Sequence, residues 1–341
     1  MLIVLAVVAS LLTALLIRQM LKSRLVDQLA DEPNHRSLHH IPVPRIGGIA
    51  IFSVVLGLTT LWSLLPITEK SNYSDLPNML FACVAILALL GVGDDKQGLG
   101  PLSRAVVQLL CATALCLAWA AGGWMATPMS TLGVGVFLLA LVSLGWGANL
   151  FNFMDGSDGI AAAMSFAGFG AMAVLAPAES LTAVVASLTT GAAAGFLLFN
   201  WHPARVFLGD AGSVPLGFLA TGLAINGSLN QYWPIWLPIA GFMPFIFDAS
   251  TTLIRRLVQG HQPWQAHRQH AYQRLILGGL SHQHVALGVF VLSALGTSLI
   301  ATIRYQNGYV FFLAWTVIIS VHAAIYRWAL RLSDSSQSEQ K

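Results

Sequence analysis

Long apolar runs separated by short polar connections organise this chain from end to end. The first run is Leu2–Ile17, followed at once by Arg18, Lys22 and Arg24. Further runs cover about 46–66, 76–93, 105–122, 131–149, 159–176, 181–199, 213–228, 233–252, 285–303 and 309–327. Each is close to the ~20 residues that a helix needs to cross a bilayer. The runs are continuous and lack the period-two alternation of a membrane barrel. Backbone polar groups in hydrocarbon must be satisfied within the segment, so every run predicts a helix. Eleven spans put the two termini on opposite sides. The expected fold is therefore an all-α polytopic integral membrane protein, with the N-terminus outside and the C-terminus cytoplasmic.

Composition strengthens that reading. Only 9% of the 341 residues are charged and 56% are hydrophobic, against about 25% charged in soluble domains. A soluble enzyme and a disordered chain are both excluded. Eleven spans use about 220 residues, leaving roughly 120 for connections, too few for a sizeable soluble domain. One transmembrane domain is expected over 1–332. Its cytoplasmic loops would lie at about 21–45, 94–104, 149–158, 200–212 and 253–284. A polar tail, 333–341, is expected to be disordered. No positive segment precedes the first run, so it reads as a retained helix rather than a secretory signal. With the N-terminus outside, 15 of the 17 Lys and Arg residues fall on the cytoplasmic side, leaving only Lys70 and Arg304 outside; cytoplasmic loops carry such an excess. Cys83, Cys111 and Cys116 lie inside apolar runs and read as buried structural thiols.

The acids carry the candidate chemistry. Six of the 14, namely Asp94, Asp95, Asp155, Asp158, Asp210 and Asp248, sit near the cytoplasmic ends of apolar runs. A carboxylate inside a membrane costs roughly 2.5–3.5 kcal/mol, so such groups are functional candidates. Five of them occupy three glycine-marked motifs: Gly91-Val-Gly-Asp-Asp-Lys-Gln-Gly98, Asn149-Leu-Phe-Asn-Phe-Met-Asp-Gly-Ser-Asp-Gly159 and Phe207-Leu-Gly-Asp-Ala-Gly-Ser213. Adjacent carboxylates repel and need a cation or a shared proton. If the second motif is helical, Asn152, Asp155 and Asp158 follow one face. These hard oxygens suit Mg²⁺, with Mn²⁺ as the alternative. Mg²⁺ takes one or two protein oxygens together with substrate phosphates. No zinc pattern is expected, because no Cys or His stands at ligand spacing from another Cys. Arg255–His284 holds Arg255, Arg256, Arg268 and Arg274 with five histidines and no acid. It reads as a topogenic loop or as an anion clamp. The segment 34–48 adds Arg36 and Arg45.

In this order, PVPRIGGIA, GVGDDKQGL, NLFNFMDGSDGIA, FNWHPARVFLGDAGS, PFIFDASTTLIRR and HRQHAYQRL resemble the motifs of the polyprenyl-phosphate N-acetylhexosamine-1-phosphate transferases. The likeness covers nearly the whole chain. The His267-Arg-Gln-His270 segment is most similar to bacterial members that start O-antigen or other surface-polysaccharide chains, on the cell inner membrane. The muramoyl-pentapeptide branch has three consecutive histidines there, so peptidoglycan precursor synthesis is disfavoured, while the common-antigen branch stays open. The resemblance implies transfer of N-acetylhexosamine 1-phosphate from a UDP-sugar to undecaprenyl phosphate, releasing UMP. It implies Asn152 and Asp210 as metal ligands, and catalytic roles for Asp94, Asp95, Asp155, His267 and His270. It further implies substrate contacts for Arg45, Arg104, Asp158 and Arg268. Asp248 matches an acid ahead of the histidine loop, or simply pairs with Arg255. Expected partners are the UDP-N-acetylhexosamine, undecaprenyl phosphate and the lipid bilayer. A homodimer is left open and no nucleic acid is expected. The main rival is a transporter of an anionic or sugar substrate. Against it, no inverted repeat is visible and the acids avoid mid-membrane positions. A CDP-alcohol phosphotransferase would need a signature that the chain lacks.

Overall fold

A computed structural model describes residues 1–33, 41–64, 76–123, 131–262, 265, 267–304 and 306–338. Helices dominate it. The first half contains α1 (Leu2–Met20), α2 (Leu25–Gln28), α3 (Gly47–Leu64), α4 (Asn78–Gln97), α5 (Pro101–Ala121), α6 (Thr131–Met154) and α7 (Ile160–Leu175). The second contains α8 (Leu181–Asn200), α9 (Asp210–Leu229), α10 (Trp236–Gly241), α11 (Met243–Val258), α12 (Ala271–Leu277), α13 (His282–Ile303) and α14 (Gly308–Ser338). Among the described residues, eight helices (α1, α3, α4, α5, α6, α8, α13 and α14) are long and apolar enough to cross a membrane. The polytopic all-α expectation therefore holds.

Three predicted spans take other forms. The 159–176 run is α7, only 16 residues long, or about 24 Å at 1.5 Å per residue. The 213–228 run lies within α9, which begins at Asp210. The 233–252 run is not one helix but two, broken at Phe242 between α10 and α11. Pro244 explains the break: it donates no N–H and its ring crowds the carbonyl four residues earlier. The tail also departs from expectation. α14 continues to Ser338, because polar residues extend an already nucleated helix at only a few tenths of a kcal/mol each. Arg36, Glu69, Lys70 and Asp75 lie outside the described residues.

α8 is the centre of the bundle. Most of its residues are buried, whereas most of those of α1 and α14 are not. The exposed Leu, Ile and Val side chains of α1 and α14 are what a lipid-facing helix requires. α9 packs against α3, α4 and α6. This crossing is very close: a Cβ on Gly48 would sit 2.2 Å from the Gly212 nitrogen, and one on Gly91 would sit 2.4 Å from Ala211. Small residues let helix backbones approach in this way, and here they draw the start of α9 against the end of α4.

A two-stranded antiparallel ribbon, β1 (Ala30–Asp31) and β2 (Val43–Pro44), precedes α3. The segment before α9 joins it. Phe207 N–H donates to Pro44 O, and the N–H groups of Gly47 and Gly48 donate to Phe207 O and Leu208 O, each at 2.9 Å. These bonds bring Arg45 beside Gly209.

Candidate active site

The site begins with the turn between α4 and α5. Gly98 adopts a left-handed conformation (φ +65°) and its N–H donates to Asp94 O at 2.8 Å. The chain reverses there. Leu99 N–H donates to Asp94 Oδ1 at 2.6 Å, and Arg104, in the first turn of α5, folds back to Asp94 Oδ2 at 2.8 Å. The same Arg104 Nη1 donates to Asp210 Oδ2 at 3.0 Å.

Asp95 does something different. Its side chain is 1% exposed. Its two oxygens accept the backbone N–H groups of Asp210 (3.2 Å) and Ala211 (3.1 Å), the first residues of α9. A carboxylate at a helix N-terminus satisfies orphan donors and the positive end of the dipole. Arg45 Nη1 donates to Asp95 Oδ1 at 3.5 Å, and Nη2 pairs closely with Asp31. Gly209 is required between them: its φ is +73° with ψ 172°, a region open to glycine alone. A Cβ there would lie 2.6 Å from Asp95 Oδ2.

The end of α6 completes the cluster. Asn152 Nδ2 donates to Asp210 Oδ1 (2.7 Å) and to Ser213 Oγ (3.1 Å). α6 stops at Met154, and Gly159 turns with φ +78°. Asp155 and Asp158 therefore lie beyond the helix, and the single helical face expected for Asn152, Asp155 and Asp158 does not form. The half-buried Asp155 accepts no hydrogen bond among the described residues. Burial, then the carboxylates of Asp210 and Asp95, push its acid well above the usual carboxylate range. Four carboxylates (Asp94, Asp95, Asp155 and Asp210) thus face two guanidiniums, one of which also serves Asp31. The hard oxygen donors and the unpaired Asp155 fit a divalent cation of the Mg²⁺ type.

Asp158 is held apart from this cluster by its own partners. Its Oδ2 lies 2.6 Å from His202 Nδ1 and accepts Ala204 N–H at 3.1 Å. His282 stands against the same turn.

The histidine loop is fastened by Asp248, and not in the expected way. Asp248 Oδ1 accepts Ala271 N–H (2.9 Å) and lies 3.2 Å from His270 Nδ1, and Oδ2 accepts Tyr272 N–H (3.0 Å). Arg255 instead donates to Gln269. The pairing with Arg255 is thus corrected: Asp248 satisfies the orphan donors at the start of α12, while Arg255, two turns along the same helix, turns to Gln269. Tyr272 Oη then donates to Phe153 O at 3.2 Å, tying α12 to the end of α6. His270 is buried and stacks near Phe153, and His267 lies 4.9 Å from it, ring to ring. Burial, His270, Arg256 and Arg255 push the His267 pKa down to about 3. Arg268 is exposed.

Arg45, Asp94, Asp95, Arg104, Asn152, Asp155 and Asp210 are therefore brought together. His267 and His270 reach the end of α6 through Tyr272 and Phe153. Sequence reasoning missed Asp31, Ser213 and Tyr272 as supports, gave His202 no role, and counted His282 only among the five histidines of the Arg255–His284 segment. His202 and Ser213 had a signal in their place inside the FNWHPARVFLGDAGS motif, and Tyr272 in its place inside HRQHAYQRL.

Known proteins resemble this chain over most of its length. The glycosyl transferase family 4 profile matches residues 78–228. The chain is 31% identical over 316 residues to a probable undecaprenyl-phosphate N-acetylglucosaminyl 1-phosphate transferase of Bacillus subtilis, covering 85% of this chain and 82% of that protein. It is 29% identical over 292 residues to the decaprenyl-phosphate N-acetylglucosaminephosphotransferase of Mycobacterium tuberculosis (76% and 72% covered). It is 24% identical over 310 residues to the undecaprenyl-phosphate alpha-N-acetylglucosaminyl 1-phosphate transferase of Escherichia coli (85% and 80% covered). These matches are transferases, which disfavours the transporter alternative.

Proposed function

The chain belongs to glycosyl transferase family 4, the family of its polyprenyl-phosphate sugar-1-phosphate transferase relatives, and we propose that it moves N-acetylhexosamine 1-phosphate from a UDP-sugar to undecaprenyl phosphate, releasing UMP. One observation carries this reading. The ends of α4 and α6 and the start of α9 gather four carboxylates, Asn152 and two arginines into one cluster.

Phosphoryl transfer depends on positioning and on neutralising charge spread over phosphate oxygens. Asn152, Asp210 and Asp155 would hold Mg²⁺, which supplies that neutralisation when bound. Arg104 and Arg268 bind phosphate oxygens of the diphosphate. Asp95 holds the start of α9, and with it Asp210. The acceptor phosphate has a second pKa near 6 and is largely dianionic at neutral pH. One of its oxygens attacks the sugar-bearing phosphorus directly. The bond between that phosphorus and the bridging oxygen breaks, and UMP departs with the electron pair.

The remaining readings follow from position and motif. Arginines collect at the site end of the bundle, which supports a cytoplasmic site in a bacterial inner membrane with the N-terminus outside. The His267-Arg-Gln-His270 segment supports initiation of O-antigen or another surface polysaccharide. The test uses purified protein in detergent, undecaprenyl phosphate, Mg²⁺ and a panel of UDP-N-acetylhexosamines. UMP and lipid-linked sugar should appear together with one donor. Both should vanish on chelation and in Asp210→Ala. Folded protein that makes neither product with any donor would overturn the proposal.

A further inference from the structure

We propose that Asp158, His202 and His282 form a second cation site, distinct from the acidic cluster, that takes a borderline transition ion such as Zn²⁺. This does not rest on the transferase reading. The three residues come from separate parts of the chain: the turn after α6, the turn after α8 and the first residue of α13. One ligand atom from each lies within 4.8 Å of the others.

The two imidazoles present the same edge to one turn. His202 Nδ1 is 2.6 Å from Asp158 Oδ2. His282 Nδ1 is 2.9 Å from Ser157 Oγ and 3.3 Å from the Asp158 nitrogen. The rings stack face to face at 4.6 Å with 4° between their planes. Two imidazolium cations would repel strongly in that arrangement, and neutral imidazole is the form that binds metal. The carboxylate is not a loose surface acid. Its side chain is 11% exposed and the Ala204 N–H fixes its orientation. Gln283 Nε2 donates to His202 O at 3.1 Å, fastening the second ligand's backbone to α13. Such outer contacts orient metal ligands. His202 is 40% exposed, so an ion can reach the site from solvent.

Donor chemistry separates the two sites. Oxygen ligands alone suit Mg²⁺, whereas two imidazoles with a carboxylate suit Zn²⁺, Co²⁺ or Ni²⁺. Metal–ligand bonds of about 2.0–2.2 Å require the ligand atoms to draw together and the parallel rings to open. Ser157 Oγ or water completes the shell. A bound ion would cross-brace the turn that follows Asp155 to α13 and to the 202–204 turn. It would hold Asp155 in place without touching the reacting atoms.

The experiment titrates Co²⁺ into untagged, metal-free full-length protein in detergent at neutral pH, without donor or lipid substrate. A visible absorption band should saturate at one equivalent and be displaced by Zn²⁺. His202→Ala and His282→Ala should each weaken Co²⁺ binding roughly tenfold or more, whereas Asp210→Ala should leave the band intact. His282→Cys should keep the band and add a sulfur-to-metal charge-transfer feature, which guards against an alanine variant that fails to fold. No band in the wild type would overturn the proposal. So would a band that survives both histidine variants, or one lost in Asp210→Ala, which would place the ion in the acidic cluster. Transferase activity is not the readout, so failure here and failure of the proposed reaction remain distinguishable.

Discussion

Replacing Asp95 by Asn separates a positioning role from a chemical one. Asp95 accepts two backbone N–H groups at the start of α9, and its side chain is 1% exposed. Asparagine keeps one acceptor oxygen but turns an NH₂ group toward the second N–H, and it removes the negative charge from the helix end. One hydrogen bond to a charged acceptor contributes about 1.5–3 kcal/mol, and loss of a helix cap about 0.5–2 kcal/mol. A net loss of about 1–3 kcal/mol is expected at the segment that carries Asp210. Felt fully in the transition state, this slows turnover by roughly 5- to 150-fold. UMP release gives kcat and KM across pH, and thermal unfolding in detergent gives stability. Asp95→Asn should be slower and less stable, and any limb of its pH profile set by Asp155 should move to lower pH, because the lost charge helps to raise that acid. Asp95→Ala should be worse in both respects, because it leaves two buried donors unpaired. A loss of about 10⁴-fold or more in Asp95→Asn at unchanged stability would refute the reasoning, since that is the scale of a missing acid, base or nucleophile. A trapped phosphate ester on Asp95 would refute it too.

Other outcomes follow from the same contacts. Gly209→Ala should cost about 1–3 kcal/mol from backbone strain alone. It also presses on Asp95 and Arg45, so UMP release should fall sharply while Gly98→Ala, with open space around it, suffers less. Asp248→Ala should release the start of α12, seen as faster proteolysis at Arg268, whereas Arg255→Ala should leave that start in place. His267, with a pKa of about 3 in the fold against 6.5 in the open chain, binds its proton less readily when folded. Its presence should lower stability as pH falls from about 6.5 toward 3 and have no effect above that window. His267→Gln should flatten the acid side of the thermal midpoint against pH, and an unchanged slope would contradict the assignment.

Much of the architecture was legible because hydrophobicity is a local property. A span must be apolar over its whole length, so the runs could be read one at a time. The motifs were legible for a related reason. Charge is costly near a membrane, so acids beside glycines at the ends of apolar runs stand out without any partner being known. The break at Phe242 was less visible, because a proline among apolar residues leaves the hydropathy unchanged while removing a backbone donor. Roles within the motifs were not legible at all. Nothing in Asp94-Asp95 tells the first to hold Arg104 and the second to cap a helix that begins 115 residues later. The partner of Asp248 could not be read either, since the donors it satisfies appear only when α12 packs against α11. His202 and His282 meet because two helix ends meet. Hydropathy along the chain determined which segments enter the membrane and which residues are too polar to be there idly. Packing of α3, α4, α6 and α9 decided which of those residues touch, because a hydrogen bond depends on a few ångströms of distance between segments that the chain order leaves far apart.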